Sequence, residues 1–241
     1  MLFVWYKVSF DEKWSHGSAV YETVYFFVEF VCVFPWKCVS LNNQNREKIM
    51  DGILRKLPIG IQTFEKLREG DYLYVDKTAL VWRIASTETP YFLSRPRRFG
   101  KSLLLSTFEA YFEGKKELFE GLAIADMEKE WKTYPVFHLD LNAEKYDSPQ
   151  ALVEILSRQL TQWELKYGKG EDEETLSGRF AGVIRRACEQ SGRGVVVLVD
   201  EYDKPLLQAL DDGTLLDDYR KTLKAFYGVL KSSDRYLRFV F

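Results

Sequence analysis

The chain has few metal-ligating residues: its 241 positions hold three cysteines (Cys32, Cys38, Cys188) and two histidines (His16, His138). These are too few and too scattered for a zinc cage. The Cys32/Cys38 spacing is compatible with a disulfide or with half of a metal site, and spacing alone selects neither. Such sparse cysteine usage suits a reduced, cytoplasmic protein. Long apolar runs are absent too. Val24–Phe34 is interrupted by Glu29 and falls short of the roughly 20 residues that cross a bilayer. It has neither a basic start nor a small-residue cleavage site, so it does not read as a secretion signal. Neither sign of charge dominates: 34 basic side chains face 36 acidic ones. A global pull towards nucleic acid or membrane is thereby excluded, and any such attraction must be local. Internal repeats and low-complexity tracts are also missing.

What is there is an ordinary globular composition, 46% hydrophobic and 29% charged, enough for one large α/β domain or two small ones. Residues 1–49 differ in texture from the rest. They carry twelve aromatic residues, from Phe3 to Trp36, about a quarter of the segment against 15% overall. Neither a period of 2 nor one of 3.6 organises them for long. Two readings compete: an aromatic-rich extension packed on the main domain, or an over-long reading frame whose translation starts at Met50. The second is favoured, because a regular domain opens at Met50 and runs through residues 50–241.

Within that domain Thr63–Leu67 starts a short helix, Tyr72–Asp76 alternates briefly, and Lys77–Ser86 reads as a helix. Tyr91–Leu93 reads as a short buried strand feeding a Gly-Lys-Ser loop, and Ser102–Phe112 as a helix closed by Gly114. Val136–Leu141 is the next strand, Pro149–Tyr167 an amphipathic helix stopped by Gly168, and a further helix runs to Cys188. The strand Val195–Val199, a long helix to about Ser232 and a final strand Tyr236–Phe241 complete the pattern. Strands alternating with helices, two of the strands being uninterrupted apolar runs, predict a parallel sheet covered on both faces.

Two segments carry the chemistry. Pro90-Tyr-Phe-Leu-Ser-Arg-Pro-Arg-Arg-Phe-Gly-Lys-Ser102 places Gly100-Lys101-Ser102 between an apolar run and a helix. Val195–Val199 ends in Asp200 and Glu201. Together they match an ATP site. The backbone N–H groups of Arg97, Arg98, Phe99, Gly100, Lys101, Ser102 and Leu103 would converge on phosphates at a helix N-terminus, where the dipole favours negative charge. Lys101 would reach the β- and γ-phosphates, and Ser102 with Asp200 would hold Mg2+. Glu201 would act as general base on the attacking water. The usual glycine five places before Gly100 is replaced by Arg95, so the first turn needs another device, such as the rigid Pro96.

The plainer readings are an accidental Gly-Lys-Ser at a strand–helix junction and an acidic pair that merely enters a loop. Each is reasonable alone, and the two motifs in this order outweigh both. Arg95, Arg97, Arg98 and Lys101 form a basic knot that could touch a nucleic-acid backbone, but on a phosphate loop nucleotide is the simpler partner. His138 reads as a satisfied core or sheet-edge residue, Asp140 and Asn142 as polar ends of a strand on the ligand side. Asp203 either caps a turn or joins the site. Arg185/Arg186 and Lys221/Lys224 read as solvated helix faces, any of which could serve a neighbouring subunit of a homo-oligomer as a finger.

Leu57-Pro-Ile-Gly-Ile-Gln-Thr-Phe-Glu-Lys-Leu-Arg68, Tyr74-Val-Asp-Lys-Thr78, Ser94-Arg-Pro-Arg-Arg-Phe-Gly-Lys-Ser102 and Val199-Asp-Glu-Tyr-Asp203 together resemble a bacterial family. It is that of the AAA-ATPase-like proteins, whose P-loop domain usually precedes a PD-(D/E)XK nuclease-type domain. The likeness covers about Met50 to Phe241, and in that family Arg at the position of Arg95 is the normal form. The resemblance implies a P-loop NTPase three-layer sandwich with a mainly parallel sheet of order 5-1-4-3-2. It also implies an ATPase that uses a catalytic Glu. Family members continue into a sensor segment and the nuclease-like domain, so the resemblance implies that this chain is a fragment. Residues 1–49 have no counterpart in it. The leading expectation is an ATP-binding domain, hydrolytic with Mg2+, coupled to a nuclease-like or other effector. The alternative is a nucleotide-dependent switch without turnover. A P-loop kinase leaves Asp200-Glu201 unexplained, and a nucleic-acid scaffold rests on the basic knot alone.

Overall fold

The strand Val195–Asp200 is apolar at every position but its last and is buried along nearly its whole length. A strand of that kind needs cover on both faces, and it occupies the centre of a three-stranded parallel sheet. The computed structural model describes residues 56–87, 89–94, 99–142 and 145–241. In chain order the strands are β1 (Val136–Asp140), β2 (Val195–Asp200) and β3 (Leu237–Val240), and their spatial order is the same. β1 and β2 run in register from Val136 opposite Val196 to Asp140 opposite Asp200. The β2–β3 ladder shifts by one residue between Val195 and Val196.

Parallel neighbours require long crossovers. Here they are helices α5 (Pro149–Tyr167) and α6 (Leu176–Ser191) between β1 and β2, and α7 (Lys204–Gln208) and α8 (Gly213–Ser232) between β2 and β3. Before the sheet lie α1 (Phe64–Glu69), α2 (Thr78–Ala85), α3 (Lys101–Phe112), a 3-10 turn at Lys116–Phe119, and α4 (Ala123–Met127). Alternation along the strands divides the core in two. Phe137, Leu139, Val195 and Val197 pack beneath α5, α6 and α8, where Phe137 stacks on Trp163 at 4.5 Å and Phe180 on Phe226 at 4.4 Å. Val196, Leu198 and Phe239 pack on the other face against α3 residues Leu105, Phe108 and Phe112. Helices, sheet and helices make three layers, as expected.

The helix ends follow their sequence signals. Pro149 opens α5 and Gly168 closes it. The Gly178 N–H donates to Thr175 Oγ1 at the start of α6, and Asp212 Oδ1 accepts from Thr214 and Leu215 N–H at the start of α8. Several expectations are corrected. Tyr91–Leu93 forms no strand; its Tyr91 N–H donates to Val240 O at 2.9 Å on the open edge of β3. One such bond is too short an overlap for a ladder. Tyr72–Asp76 contributes an isolated parallel bridge between Tyr72 and Lys56. The turn at Lys116–Phe119 and helix α4 leave no periodic signal in the sequence, since each is shorter than two helical turns. The expectations for residues 1–49, for a start at Met50 and for Arg95–Arg98 lie outside the described residues. Among the described residues no helix is long and apolar enough to cross a membrane.

Candidate functional site

Gly100 begins the site. Its φ of 74° and ψ of 27° are left-handed, a conformation glycine adopts without strain, and it immediately precedes α3. A Cβ there would meet nothing within 4 Å, so the requirement is conformational and not steric. Gly100 offers no side-chain cap to the N-terminus of α3, and the first turn holds no acidic residue. The free N–H groups and positive dipole end of this twelve-residue helix therefore face outward, suited to an anion. Lys101 and Ser102 are its first two residues and Leu103 its third, all half-buried, while Phe99 before them is exposed. Arg97 and Arg98, expected to line the same loop, lie outside the described residues.

The acidic pair arrives from the centre of the sheet. Asp200 ends β2, is 7% exposed, and accepts the Glu201 N–H on its Oδ1 at 3.0 Å. Glu201 then takes a φ of 53°, rare for a residue with a side chain and of a kind that costs about 1–3 kcal/mol. That turn brings Glu201 Oε1 to 3.7 Å from Lys101 Nζ, with both side chains about four-fifths buried. Two residues from separate motifs thus meet across one cleft. The cleft, about 190 Å³, is lined by Lys101, Asp200, Glu201, Tyr202, Tyr227 and the 91–93 segment, with the end of β3. Its volume suits the phosphate end of a nucleotide with water better than a whole nucleotide. Phe92 meets Tyr202 edge to face at 5.2 Å and holds the two rims together.

The neighbouring strand adds Asp140, level with Asp200 in the ladder, and Asn142. Lys204 Nζ donates to both the carbonyl and the side-chain oxygen of Asn142 at 2.5 Å, tying the end of β1 to the start of α7. Asp203 precedes α7 without a side-chain cap. His138 is only half satisfied. Its Nδ1 lies 2.9 Å from Glu109 Oε2 on α3, whereas its buried Nε2 has no partner among the described residues. Burial disfavours the charged ring, yet the Glu109 hydrogen bond, with the Asp140 and Asp200 carboxylates nearby, raises its pKa above the ordinary histidine value.

Arg186 is not on a solvated face. Its guanidinium forms two hydrogen bonds with Glu173, at 2.5 and 2.9 Å, and a third to Gly168 O, which removes it from the candidate fingers. Lys204 and Tyr227 carry no sequence signal: the first is one more charge in an acidic turn, the second one more aromatic on an amphipathic helix.

Oxygen ligands are what Mg2+ prefers, usually one or two carboxylates together with substrate phosphates. Asp200, at a strand end and lining the cleft, fits that requirement; Ser102 follows the cleft-lining Lys101 on α3 but does not itself line the cleft. Among the described residues no group of three or more His, Cys, Asp or Glu could hold a metal ion by itself.

A family model described as AAA-ATPase-like, "Predicted AAA-ATPase", matches residues 58–241. An "Uncharacterized protein in vnfD 5'region" from Azotobacter chroococcum mcd 1 is 42% identical over 186 residues, covering 77% of this chain and 36% of that relative. The chain thus spans about a third of the length of the curated relative it matches. No solved structure matches.

Proposed function

The chain belongs to the predicted AAA-ATPase family, a nucleotide-binding P-loop family, and from that premise we propose that it binds ATP with Mg2+ and hydrolyses it in the cleft between α3 and the end of β2. The N-terminal amides of α3 with Lys101 hold the phosphates, and Ser102 and Asp200 hold the metal. A bound Mg2+ would supply positive charge that offsets the negative charge of the phosphates. Glu201 takes a proton from the attacking water as that water bonds to the γ-phosphorus and the bond to the β-phosphate oxygen breaks. The observation that carries this reading is the 3.7 Å approach of Lys101 Nζ to Glu201 Oε1, because it unites the phosphate-binding and water-activating residues in one cleft. An arriving γ-phosphate would take over Lys101 and release Glu201 to face water.

The Tyr91 N–H bond to Val240 O supports placing the 91–93 segment beside β3, as the 5-1-4-3-2 order requires. Coupling to a nuclease-like or other effector domain is a proposal that rests on the family resemblance. Nucleic-acid contact rests instead on the basic residues before α3, self-association on the exposed basic helix faces, and a cytoplasmic setting on the sparse cysteines. The test is Glu201→Gln in the full-length protein. ATP binding should persist, while turnover falls about 10²-fold or more, the scale of a positioned base. Equal turnover in both proteins would remove Glu201 from the mechanism. Binding without turnover in the unmutated protein would establish the switch reading instead.

A further inference from the structure

Two tyrosines on the sheet's α8 side are buried and a third is half-buried, and the two buried ones are satisfied. The Tyr146 hydroxyl donates to Leu141 O at 2.8 Å and the Tyr219 hydroxyl to Ser148 O at 2.7 Å. The third, Tyr227, is different. It sits on α8 beside the buried Phe226, and its ring lines the cleft that holds Lys101, Asp200 and Glu201. Its hydroxyl is shielded from solvent and has no hydrogen-bond partner among the described residues. A phenylalanine would fill the same space without leaving a donor unpaired, and an unpaired buried hydroxyl is costly. Burial, reinforced by Tyr146, Asp203 and Tyr202, pushes its pKa far above the ordinary tyrosine value, so it stays an O–H donor at all physiological pH.

We propose that Tyr227 is a substrate-binding residue whose hydroxyl donates a hydrogen bond to the γ-phosphate of a bound nucleoside triphosphate. The assignment rests on the phosphate-loop reading above and extends it to a helix outside both motifs. The γ-phosphate is the fitting acceptor because Tyr227 shares the cleft with Glu201, where the reacting end must lie, and because no acceptor among the described residues pairs with the hydroxyl in the resting cleft. A diphosphate would leave the hydroxyl unpaired.

Calorimetric titration of full-length protein with a non-hydrolysable Mg2+-ATP analogue and with ADP tests this, comparing Tyr227→Phe, Lys101→Ala and the unmutated chain. Tyr227→Phe should weaken the triphosphate about 10-fold or more, as expected for a lost hydrogen bond to a charged group. ADP affinity should stay the same, and the unliganded Tm should be equal or higher. Unchanged triphosphate affinity in Tyr227→Phe, alongside a loss in Lys101→Ala, would overturn the Tyr227 assignment alone. So would equal losses for the two nucleotides, or a Tm several degrees lower without ligand, since the hydroxyl would then serve the resting fold. If Lys101→Ala also binds normally, the phosphate-loop reading fails and Tyr227's role fails with it.

Discussion

A single proton on His138 links helix α3 to the sheet. Glu109 reaches from α3 to His138 Nδ1, and Asp140 on β1 with Asp200 on β2 supplies the remaining negative charge around the ring. Because the folded-state pKa is raised, folding favours the protonated ring. The resulting stabilisation is fully present below the unfolded value of about 6.5 and is lost as pH rises through the folded pKa. Glu109→Gln should therefore lower Tm near pH 6 and have much less effect near pH 8.5, which thermal melts across that range would check. A pH-independent loss would mean that the contact is packing alone. At this scale the sequence placed Gly100, Lys101 and Ser102 at a helix start and Asp200 and Glu201 at a strand end, because helix N-termini and strand ends constrain residue type locally. His138 was legible as a sheet residue but not as an ion-pair partner, since Glu109 reaches it only when α3 lies across the strand. Asp76, in the Tyr74-Val-Asp-Lys-Thr78 block, has a role that no local pattern shows. Its carboxylate accepts Thr78 N–H, Thr78 Oγ1–H and Ala123 N–H, joining α2 to α4.

Between elements, the buried pair Arg179–Glu164 joins α6 to α5. Arg179 Nε and Nη2 donate to Glu164 Oε1 and Oε2 at 2.8 and 2.7 Å, and Ser157 and Thr161 satisfy the rest of the guanidinium. Both residues are 8% exposed. Removing one partner strands a buried charge, so Arg179→Met should destabilise by about 3–5 kcal/mol. Replacing both, as Arg179→Met with Glu164→Leu, should recover most of that loss, because an apolar pair of similar size needs no desolvation of ions. Chemical denaturation of the two variants checks the prediction. A double variant as unstable as the single one would show that the pair is worth more than its burial costs. The amphipathic patterns placed α5 and α6 correctly, and the Pro149 and Gly168 signals set the limits of α5. Neither pattern told Arg179 from the solvated arginines, because which face meets a neighbour depends on how the crossovers pack.

Both core clusters are built from residue 64 onward among the described residues, and helices from 64–232 cover the two faces of the sheet. Leu54–Phe241 is one compact unit by its own contacts. A chain beginning at Met50 should accordingly fold, with a Tm within a few degrees of the full 241 residues. Calorimetric melts of the two would decide it, and a large drop would make the aromatic segment part of the core. The sequence by itself determined the layered α/β class, the central buried strand and the two nucleotide-directed motifs. These follow from hydrophobic period, end signals and residue chemistry, which act within a few positions along the chain. Only the tertiary structure decided that Lys101 faces Glu201, that Glu201 adopts left-handed backbone, that Lys204 ties Asn142, and that Tyr227 lines the cleft with its hydroxyl unpaired among the described residues. Each depends on where two crossovers place elements remote in sequence, and side-chain packing across the sheet sets that placement, which no local pattern encodes.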